Sequence, residues 1–242
     1  MKHVGILAHG VEGAALCFRV FCQEGSRKLG AHSHPDVTLD CIALGPSMAA
    51  WEQADYASIR ATLARSAARL AQAGANFFIC PNYAAHIALE EKGADLVLPG
   101  LHIAEIVADR AARDGYKCVG VLGAKYLMDT SLSSQALSAR GIRAVLPEAE
   151  ERSIIHEIIV RELVNGIVSD ISRQRCVRVI EQLQARGCDA VALACTEMPL
   201  IVTPDISPLP VLDSTRLLAR VAFEVAVGKL PMPSWRGGPI RT

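Results

Sequence analysis

Neither sign of charge is in excess in this 242-residue chain: 25 Lys and Arg are balanced by 25 Asp and Glu, so the formal net charge is zero. Without a basic field there is little to hold a phosphate backbone or an anionic lipid surface, and neither nucleic acid nor membrane is an expected partner. Long hydrophobic runs are also missing. No stretch approaches the roughly 20 apolar residues of a membrane span. The apolar run Val4–Ala8 is too short for a secretory signal, and no small-residue cleavage site follows it. The expectation is a soluble, cytoplasmic protein. No G-x-G-x-x-G or Walker-type loop is present, which argues against a nucleotide cofactor. No C-x-x-C pair exists, and His32-Ser33-His34 has no carboxylate cluster near it in sequence, so no metal site is expected. The eight cysteines, with no export signal, are expected to be reduced, most of them as core residues.

What the chain does have is apolar content arranged in short blocks. Hydrophobic residues make up 51% and charged residues 21%, the balance of a globular protein with a substantial core. Apolar runs that read as strands are Val4–Ala8, Val37–Leu44, Phe77–Cys80, Cys118–Leu122, Ala144–Leu146 and Ala190–Cys195. Between them lie helical patterns over Gly13–Gly25, Tyr56–Ala73, Tyr83–Lys92, His102–Asp114, Ser131–Arg140, Glu148–Asn165, Ser172–Arg186 and Ser214–Val227. Alternation of this kind predicts an α/β fold: mainly parallel sheet with helices on both faces.

The pattern also repeats. Val4-Gly5-Ile6-Leu7 resembles Val119-Gly120-Val121-Leu122, 115 positions on, and Cys80 and Cys195 are separated by the same 115 positions. One shared offset predicts two related, pseudo-symmetric α/β lobes, the first spanning 1–98 and 211–242, the second 99–210, with an active site in the cleft between them.

Both cysteines fall where an apolar strand gives way to a polar turn: Cys80-Pro81-Asn82-Tyr83 and Cys195-Thr196-Glu197-Met198-Pro199. The carboxyl ends of parallel strands form the ligand crevice of an open α/β sheet, and a following helix offers free N–H groups that favour carboxylate and thiolate. Two thiols suit proton transfer at a carbon centre, one removing a proton while the other delivers one to the opposite face. A modest fall in thiol pKa, toward about 7, would make either a competent base.

The chain resembles the aspartate/glutamate racemase superfamily almost from end to end. The resemblance is carried by Val4–Leu7 with Glu12-Gly13-Ala14-Ala15-Leu16-Cys17, by Ile79–His86, by Val121–Met128, by Ala194-Cys195-Thr196-Glu197-Met198-Pro199-Leu200 and by Pro210–Thr215. It implies cofactor-independent racemisation with Cys80 and Cys195 catalytic, and a homodimer or higher homo-oligomer. From their places at strand ends and beside the two cysteines, His9, Gly10, Asn82, Tyr83, Gly123, Ala124, Thr196 and Glu197 are the expected substrate-binding set. His86 is expected to orient the Cys80 loop, and Asp213 to hold the start of the last helix. Three departures bear on the substrate. Tyr83-Ala84 stands where relatives usually carry Asn-Thr, Ala124 where they usually carry Thr, and Ala194 where they usually carry Gly. A site lacking those polar groups should reject ligands that need them, which argues against ordinary aspartate or glutamate. The alternatives are a cis–trans isomerase of an unsaturated dicarboxylate with a cysteine nucleophile, and a non-catalytic carboxylate-binding member of the family.

Overall fold

A computed structural model describes residues 1–240. In chain order the strands are β1 (Val4–Ala8), β2 (Val37–Cys41), β3 (Phe77–Ile79), β4 (Gly100–Leu101), β5 (Cys118–Leu122), β6 (Arg143–Val145), β7 (Ala190–Leu193) and β8 (Val211–Asp213). The helices are α1 (Val11–Leu29), α2 (Met48–Glu52), α3 (Tyr56–Gln72), α4 (Ala85–Leu89), α5 (Ile103–Arg113), α6 (Lys125–Met128), α7 (Leu132–Ser138), α8 (Ala149–Arg161), α9 (Asp170–Ala185) and α10 (Ser214–Ala226).

The strands form two four-stranded sheets, ordered β2-β1-β3-β4 and β6-β5-β7-β8, with every pair parallel. The order of the second sheet is that of the first, strand for strand. In each sheet the chain runs outward on one side of the first strand and then crosses to the other. The switch point therefore lies between β1 and β3 in one sheet and between β5 and β7 in the other, and ligand crevices form at such points. The central strands β1 and β5 are buried along their whole length because helices cover both faces. A glycine in each lets a leucine of the covering helix approach: a Cβ at Gly5 would sit 3.0 Å from Leu70 of α3, and one at Gly120 would sit 2.7 Å from Leu183 of α9. Gly5 and Gly120 again stand 115 positions apart.

The chain divides into one unit of residues 1–103 with 215–242 and a second of 104–214. The breaks fall later than the sequence suggests. β4 pairs with β3, which keeps residues 99–103 with the first unit, and β8 pairs with β7, which keeps 211–214 with the second. In the first unit, α10 is tied to α1 by a Phe21–Phe223 edge contact, by Arg220 on Glu24 and by Lys28 on Glu224. The second unit has its own core, built on Leu122, Ile155, Ile159, Ile180, Leu183 and Val191.

Local capping sets several helix starts. Asp55 accepts the Ser58 N–H at 3.1 Å ahead of α3, Ser169 accepts that of Ser172 at 3.1 Å ahead of α9, and Glu148 with Glu151 forms a capping box on α8. Some expected elements are shorter. The helix expected over Tyr83–Lys92 contracts to Ala85–Leu89, because Arg60 takes the Leu89 and Ala94 carbonyls at 2.5 and 2.8 Å and holds the following residues as a loop. The helix expected to reach Asn165 ends at Arg161 in a tight turn closed by left-handed Gly166. The strand expected to reach Leu44 ends at Cys41, and Gly45–Glu52 turns helical instead. Among the described residues no helix is long and apolar enough to cross a membrane.

Candidate active site

Cys80 is the first residue after β3, next to the switch point of the first sheet, and is wholly buried. The main-chain N–H of Asn82 is directed at its thiol. Asn82 is fully committed otherwise. Its side-chain N–H donates to the His9 carbonyl at 2.6 Å, its side-chain oxygen accepts the Ala85 N–H at 3.1 Å, and its main-chain carbonyl faces His86 Nδ1 at 3.1 Å. This residue of the expected substrate set therefore ties the Cys80 turn to the end of β1 and the start of α4. His9, at the end of β1, is also buried. Its Nε2 lies 3.2 Å from Ser47 Oγ and its ring stacks on Trp51 at 6.2 Å. Its Nδ1 is buried with no hydrogen-bond partner among the described residues. Burial lowers the His9 pKa, so the ring is neutral. Gly10 follows in extended backbone as the residue before α1, and Tyr83 is buried in the Cys80 turn.

In the second unit Cys195 lies two residues past the end of β7 and beside the end of β5; since Val4 pairs with Phe77 and Val119 with Ala190, its counterpart in the first unit is Asn82, while Cys80 matches Leu193. It is 9% exposed. The main-chain N–H groups of Glu197 and Met198 point at its sulfur. Its own S–H donates to Glu197 Oε2 at 3.0 Å, and Thr196 Oγ1 donates to the same oxygen at 3.2 Å. Gly123 is the first residue after the neighbouring strand β5, and a Cβ there would meet the Ala194 carbonyl oxygen at 3.0 Å. Ala124 is buried ahead of α6. The expected residues thus sort into two clusters: Cys80, His9, Gly10, Asn82 and Tyr83 in the first unit, and Cys195, Thr196, Glu197, Gly123 and Ala124 in the second.

One expectation is reversed. Neither thiol has a lowered pKa. Burial pushes Cys80 up to about 12, against only the Asn82 N–H. Burial also raises Cys195 well above the ordinary thiol range, and the Glu197 carboxylate raises it further. The helices that were to supply positive ends are too slight: α4 has five residues, and the 3₁₀ turn Met198–Leu200 has three. Both sulfurs are held as thiols, with N–H donors in place for the thiolate. Two residues were overlooked in the sequence. Ser47 partners His9 from a Gly-Pro-Ser turn 38 residues away. Tyr126 packs edge-on to His156 at 6.0 Å, and its phenol pKa is raised, first by desolvation of the hydroxyl and then by Cys195 and Glu197. Only the adjacency of Tyr126 to the Gly123 turn could have marked it.

The family model for Asp/Glu/hydantoin racemases matches residues 21–222, which includes both cysteine turns. The chain belongs to the Asp/Glu/hydantoin racemase family. A Yersinia pestis structure assigned to the Asp/Glu racemases superposes with a TM-score of 0.84 at 28% identity, covering 94% of this chain and all of that one. The aspartate racemase of Picrophilus torridus superposes with a TM-score of 0.76 at 21% identity, covering 94% and 95%, a likeness of fold. A broad-specificity amino-acid racemase of Bacillus subtilis is 22% identical over 173 residues, 69% of this chain and 71% of the relative. The two parallel four-stranded sheets are thus those of racemases in this family.

Proposed function

We propose that the protein is a cofactor-independent racemase or epimerase of an amino acid or a related small carboxylate, with Cys80 and Cys195 as its two acid/base groups. The observation that carries this is a thiol just past the third strand of each sheet, the register matching Cys195 to Asn82 and Cys80 to Leu193. Each follows the third strand of its own sheet, β3 or β7, at the switch point of an identical strand order, and each faces main-chain N–H donors. Inversion requires one thiolate and one thiol, acting on opposite faces of the reacting carbon. Cys195 has the nearer acceptor for its proton: transfer to Glu197, 3.0 Å away, leaves a thiolate facing the N–H groups of Glu197 and Met198. That thiolate removes the α-proton, and the Cys80 thiol donates its proton to the other face. Cys80 is then the thiolate, facing the Asn82 N–H, and the reverse reaction runs through it.

Apolar residues at Ala84 and Ala124, both buried, argue for a substrate other than aspartate or glutamate. The relative in Bacillus subtilis, a broad-specificity amino-acid racemase, is consistent with a wider substrate range. The test is an NMR screen for α-hydrogen exchange in D₂O over amino acids, hydroxy acids and unsaturated diacids. Inversion with exchange is expected for at least one compound, and both Cys80→Ala and Cys195→Ala should abolish it. Inversion that survives either substitution overturns the two-thiol mechanism.

A further inference from the structure

We propose that Cys118 and Cys188 are a modification site, a dithiol that hydrogen peroxide joins as a disulfide inside the second unit. Cys118 opens β5, and Cys188 stands two residues before β7. The two strands are parallel neighbours with Val119 opposite Ala190, so both cysteines lie at the amino end of the sheet. Cys195 lies past the carboxyl end, and the pair is separate from it. The Cys118 S–H donates to Cys188 Sγ at 3.7 Å. A disulfide bond is about 2 Å long, so a small turn of the two side chains closes it. The backbone keeps the sulfurs together. The Asp189 carboxylate accepts the Lys117 N–H at 2.7 Å and the Cys118 N–H at 3.1 Å, and the Asp189 N–H donates to the Cys118 carbonyl at 2.8 Å. The Cys188 N–H donates to the Leu183 carbonyl at 3.1 Å, in a helix-ending turn made by left-handed Gly187.

Both thiols belong to the core of the second unit, yet they sit one layer below its surface. Each is 5% exposed, while Lys117, Arg143 and Gly187 around them are exposed. Arg143 is the partner of Cys118 across the β5–β6 pair, and its guanidinium lies 3.5 Å from where a Gly187 Cβ would sit. That depth suits an oxidant as small as peroxide. Burial, then Cys118, raise the Cys188 thiol to about 12, against the pull of Arg143 and Arg186. The pair is therefore kept as two thiols at neutral pH, and its oxidation is slow, because the thiolate is the reactive form. When Cys188 loses its proton, its sulfur attacks peroxide, the O–O bond breaks, and the departing hydroxide takes up the proton as water. This leaves a sulfenic acid on Cys188. The Cys118 sulfur attacks that sulfur, the S–OH bond breaks, and the Cys118 proton leaves with the hydroxide as a second water. Two thiols and one peroxide thus give one disulfide and two waters, with both sulfurs oxidised and the peroxide reduced. The bond links positions 70 apart, with β6, α8 and α9 between them.

The experiment treats the folded full chain with hydrogen peroxide at mildly alkaline pH, blocks remaining thiols with iodoacetamide and maps the cross-links by non-reduced peptide mass. Exposed Cys41 reports that the oxidant has acted. The expected product is a Cys118–Cys188 disulfide, at least about tenfold more abundant than any other pairing within the chain, as contact between the sulfurs raises their effective concentration. Dithiothreitol should reverse it, and Cys188→Ala should remove it. The same treatment in urea should erase the preference, because only the fold brings the two sulfurs together. Oxidised Cys41 beside alkylated Cys118 and Cys188 overturns the proposal, and so does a preference that survives in urea. A sulfinic acid on Cys188 without a cross-link also overturns it. If Cys188→Ala does not fold, the map of the unsubstituted chain decides. No readout here needs a substrate, so a protein that turns nothing over defeats the racemase assignment and leaves the dithiol to be judged separately.

Discussion

The thiol of Cys195 donates to the carboxylate of Glu197 at 3.0 Å, across a single intervening residue. The contact acts on the sulfur in two opposed ways. It places a proton acceptor against the thiol, and its negative charge resists thiolate formation. Glu197→Gln removes the charge and keeps the shape. Cys195 should then react with iodoacetamide at lower pH than in the wild type, while racemisation falls because the acceptor is gone. The two readouts move in opposite directions. The exposed Cys41 serves as the labelling reference. A labelling profile that does not shift means Glu197 has no hold on the thiol.

The backbone behind that thiol is just as confined. A Cβ at Gly123 would lie 3.0 Å from the Ala194 oxygen and 3.1 Å from Leu127 Cδ2. The leucine can turn aside, but the carbonyl belongs to the segment that carries Cys195. Gly123→Ala should therefore destabilise by about 1–3 kcal/mol, the usual range for overpacking, and should lower turnover as Cys195 moves. Gly45→Ala is the control, since a Cβ there meets nothing within 4 Å. Chemical denaturation of both variants checks the difference. Equal midpoints would mean that the contact between the turns that follow β5 and β7 is looser than its packing suggests.

Much of this architecture is legible in the sequence, and the limits have physical causes. Six strands show because each is an apolar run between clean breaks, while Val211–Asp213 does not; the 115-residue offset holds for Val4 and Gly5, but β3 and β7 correspond at 190 − 77 = 113, so the matching spacing of Cys80 and Cys195 is a coincidence of sequence. The two-residue strand Gly100–Leu101 does not show: it has too few residues to carry a period, and only its pairing with Phe78 and Ile79 makes it a strand. The positions of both cysteines at strand ends follow from local pattern. Their raised pKa values do not, because burial is a property of the packed chain. Asn82 reads as a substrate contact in sequence, yet its amide is spent on His9, 73 residues away. Trp235 sits in a tail with no period of its own and gains a role only through Gly100, Phe78 and His86.

Glu24 makes a pH-dependent contribution to the first unit. Burial alone would raise its pKa, but Arg27, Lys28 and Arg220 outweigh burial and leave it below the ordinary carboxylate value. A depressed pKa means stability that is present above the unfolded-state value of about 4.3 and lost as pH falls through the folded one. Glu24→Gln should cost about 1.5 kcal/mol at pH 7, the scale of a charged hydrogen bond. The gap from wild type should close below about pH 4. Urea titrations at both pH values read this directly, and a gap that persists in acid would assign the loss to packing.

His9 should show the reverse pattern, function lost with little stability lost. Its Nδ1 is buried without a partner among the described residues, a state that destabilises a protein unless something else benefits. Placed at the end of β1, with Asn82 of the Cys80 turn bonded to its carbonyl, that nitrogen is suited to meet a polar atom of the substrate. His9→Phe keeps a ring against Trp51 and removes both nitrogens, including the one facing Ser47. Deleting an unsatisfied atom offsets the lost Ser47 contact, so the unfolding free energy should stay within about 1 kcal/mol of wild type. Losing one substrate hydrogen bond should raise KM about tenfold, equivalent to about 1.4 kcal/mol. A large drop in Tm with unchanged KM would make His9 a structural residue and remove it from the substrate site.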